Sequence, residues 1–142
     1  MKGDYILAHS YNYTPFLSDS CILYSKEGKL ITQKSYGYIN EFSEGLAVVC
    51  ANGLGCINQN AGFIDENGNE IIPLQYNSAK SFSEGLAAVK REDKWGYINK
   101  AGEIIIPFKY TQASSFSNGI AEVSYNGFSQ KINYTGEMIE ND

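Results

Sequence analysis

The stretch Lys94-Trp95-Gly96-Tyr97-Ile98-Asn99-Lys100-Ala101-Gly102-Glu103-Ile104-Ile105-Ile106-Pro107 contains two short apolar runs separated by a polar, glycine-closed turn. Trp95 to Asn99 reads as one strand and Ile104 to Ile106 as another. Gly102 supplies the positive φ that a tight turn needs. Pro107 lacks the N–H of a ladder donor and is expected to end the strand. Upstream, Leu86-Ala87-Ala88-Val89-Lys90 reads as a third strand, closed by the polar turn Arg91-Glu92-Asp93-Lys94. Downstream, Phe108 to Ser115 is expected as an irregular connection, with room for a helical turn at 77–81 or 112–115. A helix over the whole stretch fails, because apolar residues do not recur at i, i+3, i+4 and glycine interrupts each window.

The same pattern recurs along the chain. Phe-Ser-x-Gly-Leu/Ile-Ala-x-Val stands at Phe42–Val49, Phe82–Val89 and Phe116–Val123, 40 and then 34 residues apart. Gly28, Gly68, Gly102 and Gly136 keep the same register. Each is followed three residues later by isoleucine: Ile31, Ile71, Ile105 and Ile139. Tyr36, Tyr76 and Tyr110 hold a further fixed offset. The expected architecture is all-β: tandem three-stranded antiparallel meanders of 34–40 residues in an open or curved array. The approximate units are 5–41, 42–81, 82–115 and 116–142, forming a single domain over 1–142. Full propeller closure is not expected, since blades number four or more with four strands each. The first two copies carry insertions at Tyr11–Ser20 and Ala51–Asn60.

Comparison of the copies predicts a core. In the first strand Ala47/Val49, Ala87/Val89 and Ala121/Val123 repeat, whereas Val48, Ala88 and Glu122 vary and mark the wetter face. The second strand repeats an apolar site at Tyr24, Ile64, Ile98 and Ile132. The third repeats Ile31, Ile71, Ile105 and Ile139 as its buried position. The tyrosines and phenylalanines of the connection are expected to pack between units.

Lys94-Trp95-Gly96-Tyr97-Ile98-Asn99-Lys100-x-Gly102, followed by Ile-Pro-x-x-Tyr and Phe-Ser-x-Gly-Leu-Ala, resembles the bacterial WG-repeat family, also called the KWG repeat. The resemblance covers Tyr24 to Met138 clearly. The Trp-Gly pair itself appears once; Cys21-Ile22, Ala61-Gly62 and Ser129-Gln130 stand in its place elsewhere. The resemblance implies an all-β repeat scaffold and protein interaction, and transfers no catalytic residue.

Composition excludes several functions. The formal charge is −5, and no basic stripe of the kind that displaces phosphate counterions is present, so nucleic acid is not an expected partner. Residues 1–71 hold four bases and eight acids, which makes the N-terminal half the expected surface for a basic partner. No apolar run approaches a membrane span of about 20 residues. Met1-Lys2-Gly3-Asp4 opens without an apolar h-region, so a cytoplasmic location is expected. The odd count of Cys21, Cys50 and Cys56 argues against a disulfide framework, and reduced thiols are expected. The spacing of Cys50 and Cys56 would still allow a hairpin disulfide in an oxidising compartment.

Chemistry-bearing motifs are sparse. His9 is the only histidine and aligns with a core position, so no catalytic residue and no enzymatic activity is expected. Glu41/Glu44 and Asp65/Glu66 are carboxylate pairs without a predicted cleft to separate their pKa values. Asp65-Glu66-Asn67-Gly68-Asn69-Glu70 has the composition of a calcium loop but not its ligand pattern, so no metal and no cofactor is expected. Asn12-Tyr13-Thr14 and Asn133-Tyr134-Thr135 match a glycosylation acceptor by accident of composition. The leading expectation is a non-enzymatic protein-interaction scaffold with an acidic surface, such as an inhibitor or immunity-type protein of a basic enzyme. Candidate partner-binding residues are Tyr11, Tyr13, Phe16, Leu54, Glu41 and Glu44. The alternative is a carbohydrate or cell-wall binding module with Trp95 and Tyr97 as its stacking platform.

Overall fold

The computed structural model describes residues 5–10, 20–32, 34–51 and 60–139, and among these there is no helix. Four antiparallel sheets follow one another along the chain without closing into a barrel. The first pairs β1 (Tyr5–Ser10) with β2 (Ser20–Ser25), extended by bridges from Cys21 to Tyr36 and Tyr24 to Leu30. The second has the order β3 (Tyr38–Ile39), β4 (Leu46–Cys50), β5 (Ala61–Asp65) and β6 (Glu70–Tyr76). The third repeats it with β7 (Ser78–Ala79), β8 (Leu86–Arg91), β9 (Lys94–Asn99) and β10 (Ile104–Tyr110). The fourth has β11 (Gln112–Ala113), β12 (Ala121–Tyr125) and β13 (Phe128–Ile132), with a bridge from Ile132 to Met138.

The complete unit therefore has four strands rather than the expected three. The segment expected to be irregular, 108–115, continues β10 to Tyr110 and then enters β11 after Thr111 alone. β6 passes into β7 across Asn77 in the same way. One long strand thus switches sheets at a one-residue corner, a device of sheets packed across one another. The sheets change at Gly37, Asn77 and Thr111, a few residues before the unit boundaries read from the repeated phrase.

Pro107 does not end its strand. The ladder between β9 and β10 slips register between Ile106 and Tyr110, and the proline sits in that irregularity on an edge strand. The same slip accompanies Pro73 in β6. The displaced backbone lies over the glycine of the second strand. A Cβ at Gly96 would stand 2.7 Å from the Ile106 carbonyl oxygen, and one at Gly62 2.5 Å from that of Ile72. Glycine and proline are thus one structural device. Where the copy carries Gln33 or Asn141 at the proline position, the glycine position is Ile22 or Gln130.

Three apolar layers hold the sheets face to face. Cys21, Leu23 and Tyr36 of the first sheet meet Ala47, Val49 and Ile64 of the second. Val48, Phe63, Ile72 and Tyr76 meet Phe82, Ala87, Val89 and Ile98 of the third. Ala88, Tyr97, Ile106 and Tyr110 meet Phe116, Ala121, Val123 and Ile132 of the fourth. Phe63 and Phe82 cross edge-to-face at 4.8 Å, as do Tyr97 and Phe116 at 5.0 Å, so the connection aromatics pack between units as expected.

Two predicted faces need correction. Val48 and Ala88 are buried, because the second and third sheets have a neighbour on both sides. Glu122, on the last sheet, faces solvent at that position. In the third strand the buried residue is one step later than expected. Ile72 and Ile106 are buried, while Ile71 and Ile105 are 43% and 41% exposed. The ladder shifts register between Glu70 and Ile72 and between Ile104 and Ile106, which leaves Ile71 and Ile105 as the extra residue of a bulge on an edge strand. Ile72 and Ile106 turn toward the following sheet, whose glycine turns at Gly102 and Gly136 close over them. Cys50 is disulfide-bonded, against the expectation of reduced thiols. Cys56, whose spacing suits such a bond, lies outside the described residues.

Candidate functional site

The repeated phrase Phe-Ser-x-Gly builds the turn between the first two strands of each complete sheet. Glu44 and Gly45 both take positive φ, 55° and 83°, the two-residue hairpin geometry that matches strand twist. Ser43 and Leu46 exchange backbone hydrogen bonds across it. The turns at Glu84-Gly85 and Asn118-Gly119 repeat these angles within a few degrees.

These turns also join the sheets. The Ser43 hydroxyl donates to the Phe82 carbonyl at 2.7 Å, and Ser83 donates to Phe116 at 2.7 Å. The Glu44 carboxylate accepts from the Gly85 N–H at 2.9 Å, and Glu84 from the Gly119 N–H at 2.8 Å. Serine and glutamate of one unit thus bind phenylalanine and glycine of the next, forming a hydrogen-bonded spine. Lys100 reaches Glu44 at 3.5 Å, and the Tyr134 hydroxyl donates to Glu84 at 3.0 Å from the equivalent turn one unit on. That bond holds the Tyr134 phenol above its ordinary pKa. In the last copy Asn118 replaces the glutamate.

The turns from β5 to β6, from β9 to β10 and after β13 lie at the same end of each sheet as these hairpins. Asp65, Asn99 and Asn133 close them with their own side chains. Asp65 Oδ1 accepts from the N–H groups of Asn67 and Asn69, each at 2.9 Å. Its other oxygen accepts from the Asn69 amide. The calcium-like composition is therefore a turn-closing device. Asn133 Oδ1 does the same for Thr135 and Glu137. No group of three or more His, Cys, Asp or Glu that could hold a metal ion is found among the described residues.

Both sets of turns face one way, and so do most of the acids. Exposed Glu27, Glu41, Glu66, Glu103 and Glu137 stand at this end, with Glu44, Glu70 and Glu84 beside them. Lys26, Lys29 and Lys100 are cations there, and Lys34 is paired with Glu70. The opposite end, with the hairpin tip 91–94 and the strand corners, carries Lys90, Arg91, Lys94 and Lys109 against Glu92 and Asp93. Two of the cations at that end lie on aromatic rings: Arg91 is 4.6 Å from the Phe108 centroid, and Lys109 5.4 Å from that of Tyr110. The array is therefore electrically polar along its strands, from the turn end to the opposite end.

The predicted site residues separate in space. Glu41 is exposed at the acidic end. Glu44 is at the same end, but its carboxylate belongs to the spine. Tyr11, Tyr13, Phe16 and Leu54 lie outside the described residues; the flanking strand ends at Ser10 and Cys50 are at the other end of the sheets. His9 stands on β1 in register with Cys21. Tyr97 is buried and its hydroxyl donates to the Ser114 carbonyl at 2.7 Å. Burial, and then Tyr110, holds its phenol above the ordinary pKa. It has no face to offer a sugar ring, and the Lys80 ammonium lies 5.2 Å from the Trp95 ring.

Two surfaces escaped the sequence reading. The outer side of the fourth sheet carries an open groove of about 790 Å³ of mixed lining, crossed by Gln112, Glu122, Ser124, Ser129 and Lys131 beside Met138 and Ile139. Glu122 and Lys131 stand in direct register there. The third strands expose Leu30, Ile71, Ile104, Ile105 and Met138. The repeat carried a signal for the first surface, since Glu122 replaces Val48 and Ala88.

A family model described as WG containing repeat matches residues 23–54, 62–95 and 95–127. Each match runs from a second strand through the sheet switch into the next unit, so the recurring segment spans two sheets. No curated protein and no solved structure matches the chain.

Proposed function

We propose, from the premise that this chain belongs to the WG containing repeat family, that it serves as a protein-interaction scaffold whose acidic turn face receives a basic partner. An inhibitor or immunity-type role toward a basic enzyme is the concrete form of this reading. The observation that carries it is the segregation of charge. Glu27, Glu41, Glu66, Glu103 and Glu137 gather at the turn end, although the chain as a whole is only modestly acidic. The spine keeps successive turns in line, so carboxylates of consecutive units act on one partner surface. Such a field speeds encounter with a basic protein and weakens as salt screens it, over about 8–10 Å at 0.10–0.15 M.

The test is capture of partners from host lysate by tagged wild-type chain and by the triple variant Glu41→Lys, Glu66→Lys, Glu103→Lys. All three residues are exposed, so the variant keeps its core. The expected result is a stoichiometric basic protein that is recovered by the wild type at low salt, lost near 0.5 M salt, and absent with the variant. Identical recovery by both chains defeats the reading.

A further inference from the structure

The third strands form one edge of the second and third sheets and begin at the acidic turns. In each unit an aliphatic side chain is exposed at one of the first two positions, Glu70 taking the first of them in the second sheet. Leu30 is 52% exposed, Ile104 49% and Met138 63%, all two residues after the turn glycine; Ile71 and Ile105 follow at the next position. The row borders Glu103 and Glu137, while Glu70 is paired with Lys34. Contiguous exposed apolar patches rimmed by polar residues mark interaction sites, whereas apolar residues exposed singly are ordinary.

We infer that this row is the anchoring half of the acidic surface, and that its occupant is a basic amphipathic helix of a partner protein. The inference rests on the acidic-face reading and names the partner's chemistry. Charge complementarity selects the sign: leucine-like side chains would meet the aliphatic row while lysines or arginines meet Glu103 and Glu137. The strand edge selects the conformation. An added strand needs a continuous row of ladder donors, and Pro73 and Pro107 together with their register slips interrupt it. A helix satisfies its own backbone and asks only for side-chain contact. Sheets stacked about 10 Å apart match seven helical residues at about 1.5 Å each. A stripe repeating every seven residues would therefore meet one strand per sheet.

The probe is a synthetic peptide of about 21 residues, roughly 30 Å as a helix, with leucines at heptad a and d positions and lysines elsewhere. The control has the same composition in strict alternation. Titration by fluorescence anisotropy at 0.15 M salt is expected to give saturable binding of the heptad peptide. The control should bind at least tenfold more weakly. The double variant Ile104→Ser, Met138→Ser should weaken the heptad peptide about tenfold, and Glu103→Gln, Glu137→Gln should remove its salt dependence. All four residues are exposed, and circular dichroism checks that the sheets persist. If the serine variant binds as well as wild type while the glutamine variant does not, the anchoring row is refuted and the acidic reading stands. If neither peptide binds, both are refuted.

Discussion

Replacing Gly96 by alanine tests the central device of the unit. The new Cβ would stand 2.7 Å from the Ile106 carbonyl oxygen and 3.1 Å from Pro107 C and Phe108 N. The first contact is about 0.7 Å short of ordinary van der Waals distance, and all three atoms are backbone, so no rotamer relieves it. Either the proline irregularity shifts or β9 does. Overpacking of this kind costs about 1–3 kcal/mol. Loss of glycine's freedom in the unfolded chain returns about 0.4–1 kcal/mol. The expected net destabilisation is about 1–2 kcal/mol, or roughly 3–8 °C in Tm for a chain of this size. Gly62→Ala should cost more, because its Cβ would meet backbone at 2.5, 2.9 and 2.9 Å. Gln130→Ala, at the same position of the last copy, should stay within about 0.5 kcal/mol. Urea denaturation followed by the single tryptophan, Trp95, next to the substitution, measures all three. Gly96→Ala as stable as the wild type, or Gln130→Ala equally damaging, refutes the pairing of glycine with the proline irregularity.

Glu122→Val with Lys131→Tyr rebuilds on the last sheet the apolar face of the inner ones; self-association on sedimentation is expected, and a monomeric double variant would contradict the reading of that face as an end. Ser83→Ala removes the hydroxyl bound to the Phe116 carbonyl and should cost about 1 kcal/mol in urea denaturation. Ser117→Ala, exposed in the last turn, should change stability by less than about 0.5 kcal/mol. Glu70 has its carboxyl held below the ordinary 4.5: burial opposes this, but the Lys34 ammonium and the Tyr36 hydroxyl outweigh it. A depressed folded pKa adds stability above 4.5 that is lost as pH falls through the folded value. Glu70→Gln should therefore be less stable than wild type at pH 7, with the gap closing below about pH 4.5; a pH-independent gap would count against the pairing.

The candidate site was legible only in part. Glu41 and the overall acidity are read directly from residues, and the structure places Glu41 on the acidic face. Glu44 has the same charge in the same turn, yet it bonds to Gly85 of the next unit. Repetition of a residue cannot by itself distinguish contact with the next unit from contact with a partner. The aliphatic row was misread for a related reason: Ile71 and Ile105 recur as strictly as core residues do, but recurrence records an equivalent environment, not a buried one.

Repetition at fixed spacing determined the all-β array and the glycine turns. It also determined the packing of Ala47, Val49, Ile64 and their equivalents, because local turn chemistry and alternation are properties of neighbouring residues. Tertiary structure alone decided which faces are covered. Val48 and Ala88 are buried and Glu122 is wet because the first two have a following sheet and the last has none. It alone decided that Pro107 continues a strand, since the register slip is accommodated by a glycine on the neighbouring strand. It alone decided that one strand serves two sheets, because the corner at Asn77 or Thr111 is set by the stacking of whole layers. Burial and sheet switching depend on what lies about 10 Å away across a layer, a distance at which sequence neighbours carry no information.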